Sequence, residues 1–288
     1  MDISKVLFED AIELSSKMNA KAILISYEAF ANLINEIGNK KTQCNIYLIT
    51  KSPNIPEDIR SIVTNVLNVP DIPFSRMGQI KVALIVATSA HLIQKNDIII
   101  CLTSPPASQV IDTLLIFEVG EEFELLSSPD IADLTKNITP QVFQGVLQLA
   151  LEIAREGREG KPVGTIFILG DINNVMKHTH QLILNPFKGH PEKKRQILDP
   201  TVQETVKELS TVDGAFIIKP SGVILTCGAF LETKLISEDL PQGLGTRHYT
   251  AAAITAITKA LAITVSESTG QIRIFKNGKI ITEIEKPQ

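Results

Sequence analysis

Apolar positions along this chain alternate between two periods. Over residues 4–18 they recur every three or four residues, as on one face of a helix, whereas AKAILIS (20–26) is a short β-branched run. The exchange repeats with a helix over 29–37, a strand at NIYLIT (45–50) and a helix over 75–93 carrying Ile80, Leu84 and Ile85 on one side. Strands follow at NDIIICLTS, whose apolar centre suits burial on both faces, and at DTLLIFEVG (112–120). Helical returns between strands predict an α/β fold with a mostly parallel, helix-covered sheet. Residues 121–138 lose the periodicity and carry Ser, Pro and acids, which divides the chain into a domain at 1–125, a linker at 126–138 and a domain at 139–288.

The second half opens with a helix over 139–156, where Val142, Val146, Leu149 and Ile153 make one apolar stripe that stops at Gly157. A strand at GTIFILG (164–170), a helix start led by Asp171, a Pro- and Gly-punctuated connector at 185–200 and a helix over 201–209 come next. DGAFIIK (213–219) and VILTCGAFL (223–231), joined at Pro220-Ser221-Gly222, read as a hairpin. Thr246 stands where a helix N-cap belongs, with Ile254, Ile257 and Leu261 behind it as the core-facing stripe.

Charge and composition narrow the function classes. Against 28 Lys+Arg stand 32 Asp+Glu, a formal net charge of −4, so the chain lacks the basic excess that would coat a nucleic acid. Three distant cysteines, Cys44, Cys101 and Cys227, with no C-x-x-C, spell neither a zinc ribbon nor a disulfide framework, and a reduced, cytoplasmic protein is expected. Apolar runs such as 82–93 fall short of the ~20 residues a bilayer span needs, and the amino-terminal segment reads as an amphipathic helix rather than a signal peptide.

Candidate chemistry concentrates after residue 210. A helix beginning at Gly-Thr-Arg-His (245–248) offers free backbone N–H groups and the positive end of its macrodipole to an anion, and Arg247 adds a planar fork for phosphate oxygens. Gly-Thr at a helix start is also simply a capping device. Asp213, opening a strand beside Gly214, can hold a divalent metal while a ligand approaches the backbone, although most Asp-Gly pairs are turns. His178 and His180 show no third metal ligand nearby, and the basic run GHPEKKRQ (189–196) reads first as a solvated loop.

Taken together, Asp213-Gly214-Ala215, then Arg247-His248-Tyr249 within GTRHYTAA, with GAFL and VSES around them, make the region 165–280 resemble the DisA-type diadenylate cyclase domain, whose marks are DGA and RHR motifs. The stretches AIELSSKMNAKAILISYEAF and IPFSRMGQIKVALIVATSAHLIQKNDIIICLTS resemble the C-terminal domain of pyruvate kinase, and the pairing is similar to the archaeal type of diadenylate cyclase. The resemblance implies an N-terminal three-layer, mostly parallel sheet serving oligomerisation or regulation, and a C-terminal domain with a central mixed sheet flanked by helices. It implies a nucleotidyltransferase that condenses two ATP into cyclic di-AMP (c-di-AMP) in a homo-oligomer with catalytic domains face to face.

Residue by residue, the resemblance places Asp213 on Mn²⁺ or Mg²⁺ and on the attacking hydroxyl, and Arg247 and His248 on phosphates. Thr246, Thr250, Ser266 and Glu267 complete the pocket, Gly214 and Ala215 let the nucleotide lie against the backbone, and Leu231 packs on adenine. Two positions depart from the family: Tyr249 stands for the second Arg of RHR, and Ser268 for an acid after Ser-Glu. Their loss of charge keeps open an alternative, a catalytically impaired adenine-nucleotide sensor.

Overall fold

The structure is a computed structural model of the chain and describes residues 2–37, 44–52, 54–105, 108–120, 138–233, 241 and 243–287. The chain divides into two compact units, Met1–Ser127 and Ser128–Gln288. The linker expected at 126–138 lies outside the described residues except for Ile138.

In the first unit, α1 (Ile3–Met18), β1 (Ala22–Ser26), α2 (Tyr27–Ile37), β2 (Ile46–Thr50), α3 (Glu57–Arg60), β3 (Asn65–Asn68), α4 (Arg76–Ser89), β4 (Ile98–Thr103) and β5 (Thr113–Glu118) build one sheet ordered β3-β2-β1-β4-β5. Every pairing is parallel except β4 with the edge strand β5. Ile23 and Ile25 of β1 pack with Ile46 and Leu48 of β2 against Phe8 of α1 and Phe30 of α2. The alternate side chains of β1, Ala22 and Leu24, are also fully buried, as befits a central strand covered on both faces. The short β3 lies within a stretch whose pattern had predicted neither helix nor strand. Ile80, Leu84 and Ile85 of α4 are buried as expected, and burial extends over every residue from Val82 to Ser89, as in an apolar helix covered nearly all round.

The second unit contains α5 (Pro140–Glu156), β6 (Thr165–Leu169), α6 (Ile172–Val175), β7 (Thr179–Gln181), α7 (Pro200–Leu209), β8 (Ala215–Ile218), β9 (Ile224–Leu231), α8 (Thr246–Ile257), β10 (Leu261–Val265), β11 (Ile272–Lys276) and β12 (Lys279–Ile284). Its sheet is ordered β12-β11-β10-β6-β8-β9-β7 and is mixed, with β6 and β8 the one parallel pair among the described strands. Ile166, Ile168, Ala215, Ile217 and Ala262 form a floor for α8, whose Ala251 and Ala252 let the helix axis approach the sheet closely. Each fully buried Ile on this floor is worth about 1.5–3 kcal/mol of transfer free energy.

Two local readings shift. Ile254 and Leu261 are fully buried as expected, but Leu261 reaches the core from β10 rather than from α8, and Ile257 is 40% exposed, so the helix itself keeps only Ile254 of the expected stripe. The helix stops at Thr258, whose hydroxyl donates to the Ile254 carbonyl (2.7 Å), while Lys259 N–H donates to Asp171 Oδ2 (2.7 Å). Asp171 leads α6 from the N-cap position as expected, but in a left-handed conformation (φ 44°) its side chain makes no cap bond and instead ties the α6 start to the turn after α8.

Candidate active site

Strand directions decide which residues meet. β8 runs parallel to β6, with Ala215 opposite Ile166, and β10 runs antiparallel to it, with Val265 opposite Thr165. The starts of β6 and β8 and the end of β10 thus share one sheet edge, which gathers Gly164, Asp213, Ser266 and Glu267. Arg247 completes the set from the first turn of α8: Nη2 donates to Asp213 Oδ1 (3.1 Å), and Nη1 to Glu267 Oε2 (3.2 Å). The Asp213 side chain is 90% exposed and that of Glu267 62%, so these pairs add about 1 kcal/mol or less to stability and serve chiefly to aim the fork.

Around Arg247 lie three depressions. An apolar one of about 220 Å³ is walled by Ile166, Leu182, Ala229, Phe230 and Leu231, with Asp213, Gly214, Ala215, Thr246 and Thr250 at its rim. A polar one of about 500 Å³ is lined by Gly245, Thr246, His248, Ser266, Glu267 and Ser268. A third, of about 360 Å³, holds Arg158, Lys161, Ser210 and Thr211 beside Gly164. Thr246 is exposed and touches the first two depressions, while Ser266 is buried with its hydroxyl 3.3 Å from that of Ser268.

The structure changes the expected capping role of Thr246 and gives Gly214 and His248 a structural setting. The N-cap of α8 is Gly245 (φ −74°, ψ 167°), with no side-chain cap bond, and Thr246 is the first helical residue. The Gly245 carbonyl accepts from the His248 and Tyr249 amides, which frees the Thr246 hydroxyl from capping. Gly214 (φ +109°) is demanded by the fold, since a Cβ there would stand 2.6 Å from the backbone of Gly228 and Ala229 on β9, and it also lines the apolar depression. His248, on the first turn of α8, is a buried side chain. Positions 248, 251, 252 and 255 form one helical face, so its ring is buried at 4% exposure, 6.2 Å from the ring of Phe275, with Nε2 3.1 Å from Arg273 Nη1. Burial foremost, then the charge of Arg273, pushes its pKa down to about 4, and the ring is neutral near pH 7.

Four contributors escaped sequence reading. Gly164 sits under the fork: a Cβ there would lie 2.9 Å from Arg247 Nη1 and 2.9 Å from Glu267 Cβ. A glycine before a strand carries no hint of that. Leu182 (53% exposed) and Phe230 (50%) line the apolar depression, and GAFL held the clue to Phe230. Arg273 on β11 was hidden in an ordinary strand alternation. Outside the site, His180 pairs with Glu232 (2.7 Å) rather than with His178, and Arg195 of the basic run donates to the Ile224 carbonyl (2.9 Å).

The donors present fit one kind of metal. Among the described residues no three His, Cys, Asp or Glu side chains converge, so no all-protein cage exists. Asp213, exposed with Oδ2 uncommitted, and nearby Glu267 suit a hard divalent cation that draws its other oxygens from nucleotide phosphates and water.

Comparison with known proteins places this architecture. Residues 152–280 match the domain family described as DisA bacterial checkpoint controller nucleotide-binding, and residues 5–126 match the probable sensor domain DacZ_P. The chain is 33% identical to a diadenylate cyclase of Methanocaldococcus jannaschii over 98% of its own length and 97% of the relative's. The chain belongs to the diadenylate cyclase family. A diadenylate cyclase of Haloferax volcanii is 44% identical over 147 residues, 51% of this chain and 53% of that relative. Among solved structures, the chain is similar to DacA from Staphylococcus aureus at 21% identity, covering 50% of this chain and 86% of that one with a TM-score of 0.34. Among the described residues no helix is long and apolar enough to cross a membrane.

Proposed function

We propose that this chain condenses two ATP into c-di-AMP with release of two pyrophosphates. The observation that carries the reading is the convergence of Asp213 and Glu267 on the Arg247 fork, at the start of α8 and between an apolar and a polar depression. Adenine enters the apolar depression against Leu231 and Phe230, with Thr250 and Ala215 at its rim. The triphosphate lies along the polar one, where the free N–H groups of the first turn of α8, the Thr246 hydroxyl and the Ser266 hydroxyl donate. Arg247 exchanges its weak carboxylate pairs for phosphate oxygens.

In each half-reaction the 3′-oxygen of one ATP bonds to the α-phosphorus of the other. The bond to the bridging oxygen breaks in line, pyrophosphate leaves with that electron pair, and the hydroxyl proton passes to the Asp213 carboxylate. Asp213 accepts the hydroxyl's hydrogen bond and aligns it, while Arg247 balances charge as it grows on the phosphoryl oxygens. Asp213, with Glu267 beside it, would hold a Mn²⁺ or Mg²⁺ ion, which would supply further charge stabilisation on the phosphates. His248, neutral and buried, acts as a hydrogen-bonding wall rather than as a cation.

Since the product is two-fold symmetric, two catalytic units facing each other, each with one ATP, supply both hydroxyls and both α-phosphates. The first unit then serves assembly or regulation, in keeping with the pyruvate kinase resemblance, in a cytoplasmic protein. Incubation with ATP and Mn²⁺ or Mg²⁺, with nucleotides resolved against authentic c-di-AMP, tests the reading. Product is expected from the wild type and none from Asp213→Asn, whose exposed side chain leaves the fold intact. Bound but unconverted ATP with either metal would make the chain a nucleotide sensor instead.

A further inference from the structure

Behind the phosphate-binding turn of α8 lies a chain of polar contacts that the proposed reaction does not use. Arg273 reaches from β11, and its guanidinium is held on three sides. Nε donates to Glu283 Oε2 on β12 (2.6 Å), Nη2 to Gln271 Oε1 (2.8 Å), and Nη1 faces His248 Nε2 (3.1 Å). With its side chain only 11% exposed and its fork planar, this Arg has one orientation available. A guanidinium has donors and no acceptor, so Nε2 of His248 must accept, and the single proton of the neutral ring must reside on Nδ1. Nδ1 is buried and has no partner within hydrogen-bond geometry, although the Gly245 carbonyl at the N-cap acts favourably on a proton there. His248 also lines the polar depression beside Gly245 and Thr246.

We infer that Arg273 is a positioning residue: it holds His248 as the neutral Nδ1–H tautomer, so that the ring keeps its proton on the side of the Gly245 carbonyl and steadies the first turn of α8, where the substrate phosphates bind. The inference rests on the cyclase reading for its substrate, but the tautomer stands on the geometry alone. The charged groups facing the ring are Arg273 from β11, Glu283 from β12 and Arg247 from α8 itself. The cores of β6 and β10, the other strands packed on α8, carry no charged side chain. Without Arg273 the ring loses both the donor that fixes its tautomer and a cation that opposes its protonation. Glu283 is left to attract a proton instead.

The test is imidazole NMR on ¹⁵N-labelled full-length protein, which has five histidines, with the His248 signal assigned by its loss in His248→Gln. The wild type should show His248 with Nδ1 protonated and Nε2 bare at pH 7. In Arg273→Met the ring should populate both tautomers and titrate at higher pH, with kcat at pH 7 down by about tenfold to a hundredfold and KM for ATP changing less. Arg273→Lys should restore part of that kcat. Should Arg273→Met fail to fold, the Arg273→Gln, Glu283→Gln double variant keeps neutral hydrogen bonding and should show the same mixed tautomers. A wild-type ring protonated on Nε2 would overturn the inference, as would a variant with unaltered tautomer and kcat. If the wild type makes no c-di-AMP yet shows the Nδ1–H ring, the cyclase reading falls while Arg273's hold on His248 stands.

Discussion

Gly164→Ala is a one-atom test of whether the Arg247 fork works as a rigid aiming device. The added Cβ would sit 2.9 Å from Arg247 Nη1, 2.9 Å from Glu267 Cβ and 3.1 Å from the Glu267 amide nitrogen. Ordinary van der Waals contact needs several tenths of an ångström more, and the last neighbour is backbone, so the end of β10 must give way as well as the flexible fork. Overpacking of this kind costs about 1–3 kcal/mol. The guanidinium can escape only by moving from the place between Asp213 and Glu267 from which it reaches the phosphates, and a displacement near 1 Å at a reacting centre lowers the rate by about 10²-fold. Pyrophosphate release at saturating and limiting ATP, with Tm measured on the same preparations, reads both effects. A lower Tm and a kcat/KM down by about two orders of magnitude are expected. Wild-type kcat/KM with unchanged Tm would refute the claim that Gly164 makes room for the fork.

Other perturbations probe neighbouring parts. Gly245→Asp places a capping carboxylate where an added Cβ meets nothing within 4 Å, so it should raise folding stability by a few tenths of a kcal/mol to about 1 kcal/mol, with a slightly higher Tm, while weakening ATP binding tenfold or more. An unchanged ATP affinity by calorimetry would move the phosphates away from this helix end. Gly214→Ala forces a side chain into the β9 backbone at φ +109° and should cost on the order of 3 kcal/mol in a urea titration. A stable Gly214→Ala variant that merely binds ATP poorly would return the glycine to the ligand. His248, with a folded pKa of about 4 against 6.5 for the ordinary ring, is favoured neutral in the folded state. Its contribution is therefore complete above pH 6.5 and is lost as pH falls toward 4, up to about 3 kcal/mol. His248→Gln should flatten the pH dependence of unfolding in that window relative to wild type, and identical slopes would show that the ring is not buried neutral.

Much of this protein was legible in one dimension. The exchange between helical and strand periods placed most of the elements, because amphipathic spacing is a local property of the chain, and DGA with Gly-Thr-Arg-His marked where chemistry concentrates. Strand order was not legible, since pairing β6 between β8 and β10 is a contest among distant segments. That order alone brings Gly164, Asp213, Arg247 and Glu267 to one edge across 103 residues of chain. Side-chain direction escaped for the same reason: His248 reads as a polar group at a helix start until α8 lies down on the sheet and turns it toward Arg273. Sequence decided which groups exist and which short segments carry them. The tertiary structure decided which of those groups meet around Arg247, because burial and charge pairing arise only when elements far apart in the chain pack.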